Sequence, residues 1–269
     1  MPESQNISLA FVDGGQAEII SAGNFCLSFI RVFAQVFQNG KKTNSCKNEF
    51  YLLSTAKYNP VEKELYYEAK IYPLTEKIIS EEELIISSQD QTIKTGSERA
   101  PISKVSNIAR RLAELSLAAK IKADFIVLDG TLETTFKNEE KYLSQLPANI
   151  CAIAKSSSLF TTSGNSPVIL LNKISPAGCW SYLVEKTTKF QTYFVKLHPQ
   201  ARHIFRFSGN PEVLPYLVQN STDALFLGYP YGLILVDQLA RVGNTEKASL
   251  KMNFLLRKEN QEIFARQFV

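Results

Sequence analysis

An uninterrupted apolar run that ends in a carboxylate and a glycine constrains the fold of this chain more than any other stretch. The run Phe125–Leu128 has no polar alternation and leads directly into Asp129 and Gly130. Such a run is typical of a strand covered on both faces at the centre of an α/β sheet, and such strands present ligands at their carboxyl ends. The sequence therefore predicts a buried strand with Asp129 at a ligand-binding edge. Taken alone, an Asp-Gly pair after a strand is more often an ordinary tight turn.

A second copy of the same pattern occurs near the amino terminus and favours a functional role. The apolar residues Leu9–Val12 lead into Asp13 and Gly14. We expect a strand over Ile7–Val12 that delivers Asp13 to the first turn of an antiparallel meander. Two strands that each end in a carboxylate, Asp13 and Asp129, form the beginnings of a metal site.

Hydrophobic periodicity and turn residues predict the other elements of an α/β fold. The predicted strands are Ile7–Val12, Ala17–Ile20, Phe25–Phe37, Phe50–Ala56, Leu65–Tyr72, Ile150–Ala154, Pro167–Leu171, Ser181–Lys186, Gln191–Leu197, Arg202–Phe207 and Ala224–Leu227. The predicted helices are Pro101–Ala119, the polar stretch Glu133–Leu146, Asn210–Val218, and a last helix that starts at Pro230, breaks near Gly243 and resumes to about Lys258. Gly14-Gly15 is expected to be a turn, and residues 38–48 a polar loop.

Composition is that of an ordinary soluble globular protein. Of the 269 residues, 45% are hydrophobic and 21% are charged, and the formal net charge is +4. That charge permits contact with nucleic acid but falls short of a dedicated basic binder. The four cysteines form no Cys-x-x-Cys pair, which predicts reduced thiols in a cytoplasmic protein. We expect no membrane contact, because no apolar run is long enough to cross a bilayer and the first residues lack a leader pattern.

Glu114 is expected among the inward-facing residues of the predicted helix that opens at Pro101. It shares a helical stripe with Leu117 and Ala118. A carboxylate in that position needs a cation or a hydrogen-bond donor as a partner. Arg110, four residues earlier, offers an ordinary ion pair, and the spacing alone does not separate this account from a metal-binding role.

Three basic residues are predicted at the end or on one face of a strand. Lys155 follows the predicted strand Ile150–Ala154, and Arg202 and Arg206 share one face of the predicted strand Arg202–Phe207. In both cases a solvated basic side chain is the more common outcome, so the pattern alone does not assign a function to these residues.

Five motifs, in order along the chain, resemble those of the NurA nucleases. They are Phe11-Val12-Asp13-Gly14, Arg110-Arg111-Leu112-Ala113-Glu114, Val127-Leu128-Asp129-Gly130-Thr131-Leu132, Ala152-Ile153-Ala154-Lys155-Ser156 and Tyr229-Pro230-Tyr231-Gly232-Leu233. The resemblance spans nearly the whole chain, from Asp13 to Asp237. It implies a ribonuclease-H-like mixed sheet flanked by helices. It further implies a single domain over residues 1–269, with an inserted β-hairpin region at about residues 41–98.

The resemblance also implies the residues of a nuclease site. Carried over to matching positions, it makes Asp13, Glu114 and Asp129 metal ligands and Tyr229 a catalytic-site residue. Clustered carboxylates suit two Mn²⁺ or Mg²⁺ ions, which together cleave phosphodiester bonds. Lys155 is then expected to neutralise a phosphate, and Tyr229 to donate a hydrogen bond to one or to orient the attacking water.

Two residues depart from the NurA pattern. Gly15 stands where the family commonly has a Ser, and Asp237 stands where it commonly has a His, eight residues after Tyr229. A carboxylate binds a hard cation well but cannot act as an imidazole acid or base near neutral pH. We therefore expect Asp237 to be a further acidic metal ligand or a water-positioning group.

Together these observations predict a metal-dependent DNA nuclease, an exonuclease or an endonuclease, that acts in DNA end processing and repair. The expected DNA contacts are Lys155, Tyr229, Arg202 and Arg206. The resemblance implies a homodimer that works with the HerA hexameric ATPase.

Two other hypotheses compete with this prediction. A NurA-like subunit that binds DNA or the ATPase without cutting DNA would account for Asp237. A haloacid-dehalogenase-like phosphatase would account for Val127–Leu132, which nearly matches that family's Asp-x-Asp-Gly-Thr-Leu motif. The phosphatase requires a nucleophilic Asp where this chain has Val127, which cannot form an aspartyl-phosphate.

Overall fold

A ten-stranded mixed sheet forms the centre of the computed structural model, which describes residues 7–256 and 261. The strands are β1 (Ser8–Ala22), β2 (Phe25–Gln38), β3 (Lys41–Asn59), β4 (Glu64–Pro73), β5 (Ile86–Ser87), β6 (Phe125–Asp129), β7 (Ile150–Ala154), β8 (Trp180–Lys186), β9 (Gln191–Lys196) and β10 (Phe205–Gly209). Their order across the sheet is β5-β4-β3-β2-β1-β6-β7-β10-β9-β8. β6 is parallel to its neighbours β1 and β7, and the other pairings between the described strands are antiparallel.

Helices cover both faces of this sheet. Those in the described residues are α1 (Lys104–Lys120), α2 (Glu139–Leu143), α3 (Pro167–Ile174), α4 (Leu214–Asn220), α5 (Tyr231–Ala240) and α6 (Asn244–Leu256). α1 and α2 pack on one face, and α4 and α5 pack on the other, while α6 covers the outer part of β1, β2 and β3. A mixed sheet flanked by helices in this way confirms the predicted α/β fold class. No helix in the described ranges is both long and apolar enough to cross a membrane.

Side-chain alternation along the central strands decides which residues meet which helix. In β1, Ala10 and Val12 pack in the core with α1, whereas Leu9 and Phe11 pack in the core with α5. β6 alternates in the same way. The residue that follows this alternation on β1 is Asp13, which therefore belongs to the α5 face.

Gly14 and Gly15 lie inside β1, so the predicted turn at these residues is wrong. Gly14 pairs with Val32 and Gly15 pairs with Arg31, both in β2. The first strand is thus continuous through the predicted turn. Glycine is needed here because neighbouring groups come close to the strand, and not because the chain reverses direction.

Several other elements also differ from the prediction. Pro167–Leu171 was expected to be a strand but begins the helix α3, because proline fits a first helical turn and five apolar residues show no clear period. The expected strand Ala224–Leu227 is a short 3₁₀ turn at Ala224–Phe226. The expected loop at residues 38–48 is largely part of β3.

The remaining predicted elements keep their type with different bounds, and β1 to β4 are each longer than predicted. The polar stretch Glu133–Leu146 is helical only in α2, and the predicted strand from Arg202 begins at Phe205. Residues 41–98 add β3, β4 and β5 to the main sheet. Their status as an insertion in a single domain stays a prediction. The expected helix end at Lys258 lies outside the described residues.

Candidate functional site

Asp13 and Asp129 lie on neighbouring strands at the carboxyl end of β6. The parallel ladder between β1 and β6 ends with the pair Val12 and Leu128, so the next residue on each strand is a carboxylate. Alternation places both side chains on the face that carries Phe11 and α5. Two carboxylates from separate sequence motifs therefore meet at one edge of the sheet.

Asp13 is buried and poorly compensated. It is 7% exposed, and the hydrogen bond recorded for its carboxylate comes from the Gly14 N–H, which donates to Oδ1 at 2.7 Å. Burial, and then the negative charges of Glu114 and Asp129, raise the pKa of Asp13 from 3.8 to about 8. A carboxyl in this state is short of positive charge, which a bound cation would supply.

Lys155 joins Asp129 to Tyr229. Its Nζ lies 2.7 Å from Asp129 Oδ2 and 4.7 Å from the centre of the Tyr229 ring. Lys155 directly follows β7, whose register pairs Ile153 with Asp129, so the strand end carries the ammonium group to the acids. The Lys155 side chain is 52% exposed and is accessible to a phosphate from solvent.

Tyr229 closes the site on the side of α5. It is buried, and its ring lies 5.2 Å from that of Phe205. Its hydroxyl is also buried and forms no well-formed hydrogen bond with any described residue. Burial, and then the negative charge of Asp129, raise the pKa of Tyr229 above its ordinary value. The residue is therefore a neutral hydroxyl within reach of the Asp129 carboxylate, without a hydrogen bond of good geometry to it.

Glu114 reaches the cluster from the opposite face of the sheet. α1 crosses β1 at Gly14, where a Cβ would lie 2.6 Å from Glu114 Oε1. Arg110 donates to this carboxylate and, at 3.3 Å, to the Gly14 carbonyl oxygen. The ion pair that spacing left open is thus present. Glu114 is also close enough to Asp13 for its charge to raise the pKa of Asp13.

The donor chemistry of this cluster fits a hard divalent cation. Its acids offer carboxylate oxygens, which Mg²⁺ and Mn²⁺ prefer, and the positive charge of Arg110 does not offset the burial and negative neighbours that raise the pKa of Asp13. As placed, no three His, Cys, Asp or Glu side chains of residues 7–256 and 261 form a ready metal cage. Lys155 and Arg110 meanwhile neutralise Asp129 and Glu114. Asp13 and Asp129 are therefore the acids best placed to meet a cation together.

Asp237 lies on α5, on the same side of the sheet as Tyr229. Its negative charge contributes to the raised pKa of Tyr229. It also forms an ion pair with Arg241 at 2.6 Å, and its side chain is 40% exposed. The structure thus places Asp237 at the margin of the site, with a basic partner of its own.

Arg202 and Arg206 do not share a strand face, so that prediction is wrong. β10 begins at Phe205, and Arg202 is an exposed residue in the preceding loop. Arg206 is 4% exposed and forms an ion pair with Glu133. Arg202 is thus accessible to a DNA backbone, whereas Arg206 is occupied within the protein.

Sequence analysis missed a buried ion pair beside the site. Arg111 donates from Nε to Glu139 Oε1 at 2.7 Å and from Nη2 to the Thr131 carbonyl oxygen at 2.6 Å. Glu139 Oε2 accepts from the N–H groups of Thr135 and Phe136. This network ties the loop that follows β6 to α1. Arg111 stood inside a motif, but its partner lies 28 residues away and no local pattern joins the two.

Two glycines allow α5 to lie directly on β1. A Cβ at Gly15 would overlap the carbonyl oxygen of Ala240, and a Cβ at Gly232 would overlap the ring of Phe11. The departure from the NurA pattern at Gly15 therefore has a steric reason in this chain. A serine there would push away the end of α5.

The sheet order, the flanking helices and the strand-end carboxylates define a ribonuclease-H-like α/β fold. No protein-family model and no curated protein matches the sequence. Among solved structures, the chain is similar to NurA, with 9% identity over 97% of this chain and 91% of that chain, and a TM-score of 0.53. This likeness confirms the predicted NurA-like fold.

Endonuclease V structures are also similar, at lower TM-scores. The catalytic domain of human Endonuclease V matches with 12% identity over 88% of this chain and 82% of that chain, with a TM-score of 0.41. Endonuclease V of Ciona intestinalis, in a complex with DNA, matches with 11% identity over 92% of this chain and 88% of that chain, with a TM-score of 0.45.

Proposed function

We propose that this protein is a divalent-metal-dependent DNA nuclease whose reaction centre is the pair Asp13 and Asp129. The observation that carries this proposal is the undercompensated Asp13 carboxylate beside Asp129, at the carboxyl edge of the central strands of a NurA-like fold. Carboxylate pairs at that edge suit cations that handle phosphates.

Asp13 and Asp129 would hold the cation, with Glu114 as the third ligand. A bound Mn²⁺ or Mg²⁺ pair supplies an activated water and steadies the leaving oxygen. Lys155 binds a phosphate oxygen through its exposed ammonium group, and Tyr229 donates its hydroxyl proton in a hydrogen bond at the reacting phosphate.

Asp237 and Arg202 act at the margin of this centre. Asp237 supplies an acidic group that positions water, in place of the family's histidine. Arg202 contacts the DNA backbone from its exposed loop. Arg206, in contrast, supports the site through its ion pair with Glu133 and is no longer proposed as a DNA contact.

The assembly follows the resemblance to NurA. The chain works as a homodimer in the cytoplasm, with a HerA-type hexameric ATPase, and processes DNA ends during repair. Co-purification of the two proteins, followed by sedimentation, tests this part independently of the chemistry.

Cleavage of a labelled oligonucleotide by the purified protein tests the central proposal. We expect cleavage with Mn²⁺ or Mg²⁺, none in excess EDTA, and none from Asp13→Asn or Asp129→Asn. Asp124→Asn is the matched control, because Asp124 lies at the start of β6, at the other end of the strand from Asp129. Its carboxylate accepts hydrogen bonds from Ser8, which an amide oxygen also accepts. Wild-type cleavage that survives EDTA would overturn the proposal.

A second candidate function is a NurA-like subunit that binds DNA or the ATPase without cutting DNA. The observation in its favour is that Lys155 and Arg110 pair with two of the acids, while Asp237 replaces the family's histidine. Under this hypothesis the wild type binds DNA but cleaves none at any concentration of either metal.

A further inference from the structure

Positive charge is concentrated in one stretch of this chain, residues 155–203. The stretch contains six basic residues and the single acid Glu185, a net charge of +5, whereas the whole chain carries +4. The basic residues are Lys155, Lys173, Lys186, Lys189, Lys196 and Arg202. All of them are exposed except Lys196, which is half-buried. The remainder of the chain has a net charge of −1, so the excess of positive charge in the whole chain is matched by that of this stretch.

The same stretch leaves large apolar side chains in solvent. Neither α3 nor β8 contains a buried residue. The exposed apolar residues are Phe160, Ile169, Leu170, Ile174, Tyr182, Leu183 and Val184, of which Phe160 is 74% exposed and Tyr182 is 57% exposed. Tyr182, Leu183 and Val184 are consecutive exposed residues of β8, and a run of exposed apolar side chains on a strand is typical of a binding surface.

One end of this surface lies at the same edge of the sheet as the proposed reaction centre. The antiparallel register pairs Trp180 with Lys196, and Val195 with Phe205. The start of β8 and the end of β9 therefore lie at the edge where β7 delivers Lys155. Four strand spacings separate β6 from β8, which is about 19 Å.

We propose that residues 155–203, called here the strand-binding segment, hold single-stranded DNA beside the reaction centre. The excess of basic residues attracts phosphates, and the exposed rings of Phe160 and Tyr182 stack on bases. Only unpaired bases offer their faces for stacking, so the segment selects single strands over duplexes. The aliphatic residues of α3 alone would suit a protein partner, but six basic residues against one acid favour a polyanion.

This inference deepens the proposed function. It rests on that function only for the position at which the bound strand is cut. Binding itself needs no cleavage, so it is measured in EDTA by fluorescence anisotropy. The probe is a labelled oligothymidine of about 20 nucleotides, compared with a duplex of the same length. We expect Tyr182→Ala to weaken binding of the single strand by about tenfold. Tyr58→Ala is the matched control, because Tyr58 is 60% exposed at the far side of the sheet, and its binding should equal that of the wild type.

A second variant tests the charge. In the double variant Lys186→Gln, Lys189→Gln, the fall of log affinity with log salt concentration should become less steep by about 1.4, if each lysine contacts one phosphate. Equal losses for Tyr182→Ala and Tyr58→Ala, or a duplex bound as tightly as the single strand, would overturn the inference. The inference would also be overturned if Tyr182→Ala changed the mass of the protein in sedimentation but left its DNA affinity unchanged. The surface would then bind protein. Binding through Tyr182 without cleavage under Mn²⁺ would leave this inference intact and reject the proposed nuclease.

Discussion

Glu139 and Asp13 are two acids near the carboxyl end of β6 that are similarly hidden from solvent and very differently compensated. Glu139 is fully buried, with Arg111 and two backbone N–H groups bonded to its oxygens. The recorded hydrogen bond to Asp13 comes from Gly14, and its neighbours include two other acids. One carboxylate is compensated by its partners, and the other belongs to the proposed reaction centre.

This difference shows that burial alone does not identify a functional acid in this molecule. A buried carboxylate that is surrounded by donors stabilises the loop it bonds. A buried carboxylate surrounded by other carboxylates destabilises the folded chain until a cation or a proton arrives.

Replacing Arg111, the basic partner of Glu139, should cause the largest change in stability. Arg111→Met leaves the Glu139 carboxylate buried and unpaired, so the free energy of unfolding should fall by about 3–5 kcal/mol in urea denaturation. The double variant with Glu139→Gln should recover part of that loss because position 139 then carries no unpaired charge. The part that comes from Glu114, whose Oε2 lies 3.9 Å from Arg111 Nη1, should not be recovered. A loss of less than about 1 kcal/mol for Arg111→Met would show that the pair is unimportant to the scaffold.

Removing the charge of Asp13 should stabilise the protein, whereas Arg111→Met should destabilise it. Without metal, the folded chain keeps a proton on Asp13 that the unfolded chain releases near pH 4, so stability falls as the pH rises from about 4 to about 8. In EDTA at pH 8, Asp13→Asn should be more stable than the wild type by about 2–3 kcal/mol. Below pH 4 the two proteins should be equally stable.

Thermal unfolding across this pH range measures the difference directly. Asp124→Asn serves again as the control and should keep the wild-type pH dependence. If the wild type in EDTA gains stability between pH 4 and pH 8 relative to Asp13→Asn, then Asp13 is ionised and compensated, and the contrast with Glu139 fails.

Tyr229→Phe should produce a smaller gain. The change removes a buried hydroxyl that has no well-formed partner, so the free energy of unfolding should rise by about 1 kcal/mol while cleavage falls. Tyr142→Phe is the matched control, because the Tyr142 hydroxyl is bonded to Glu83 and its loss should destabilise the protein. Destabilisation by both variants would mean that the Tyr229 hydroxyl is satisfied.

Asp237→His should change stability least, by less than about 0.5 kcal/mol, because the lost ion pair with Arg241 is largely exposed. We expect the wild type to cleave DNA with Asp237 in place. Cleavage by Asp237→His under conditions where the wild type shows none would show that the wild-type site is inactive, as the non-cutting subunit hypothesis requires.

The parts of the site that follow from strand patterns could be predicted from the sequence. Apolar runs that end at Asp13 and Asp129 are local signals, and two such strands need only be neighbours for their acids to meet. The position of Lys155 at the end of β7 follows from the same logic. The fold class was predictable for this reason, since it depends on the same runs.

Other features depend on contacts between distant residues and left no local signal. Gly14 and Gly15 resemble a turn in sequence, yet they serve close approaches of Glu114 and Ala240 to a straight strand. Arg206 has the position of a surface residue on a strand, but Glu133, 73 residues earlier, pairs with it. Such partners are set by tertiary packing, which periodicity cannot report.

The two glycine contacts between α5 and β1 also limit how this site can change during evolution. The end of α5 rests on Gly15, and the same helix carries Asp237, while Tyr229 immediately precedes its N-cap. A serine at position 15 would have to shift the helix and the groups attached to it. Gly15 thus fixes, through the end of α5, the position of Asp237, so a change at either residue is expected to alter the placement of the other.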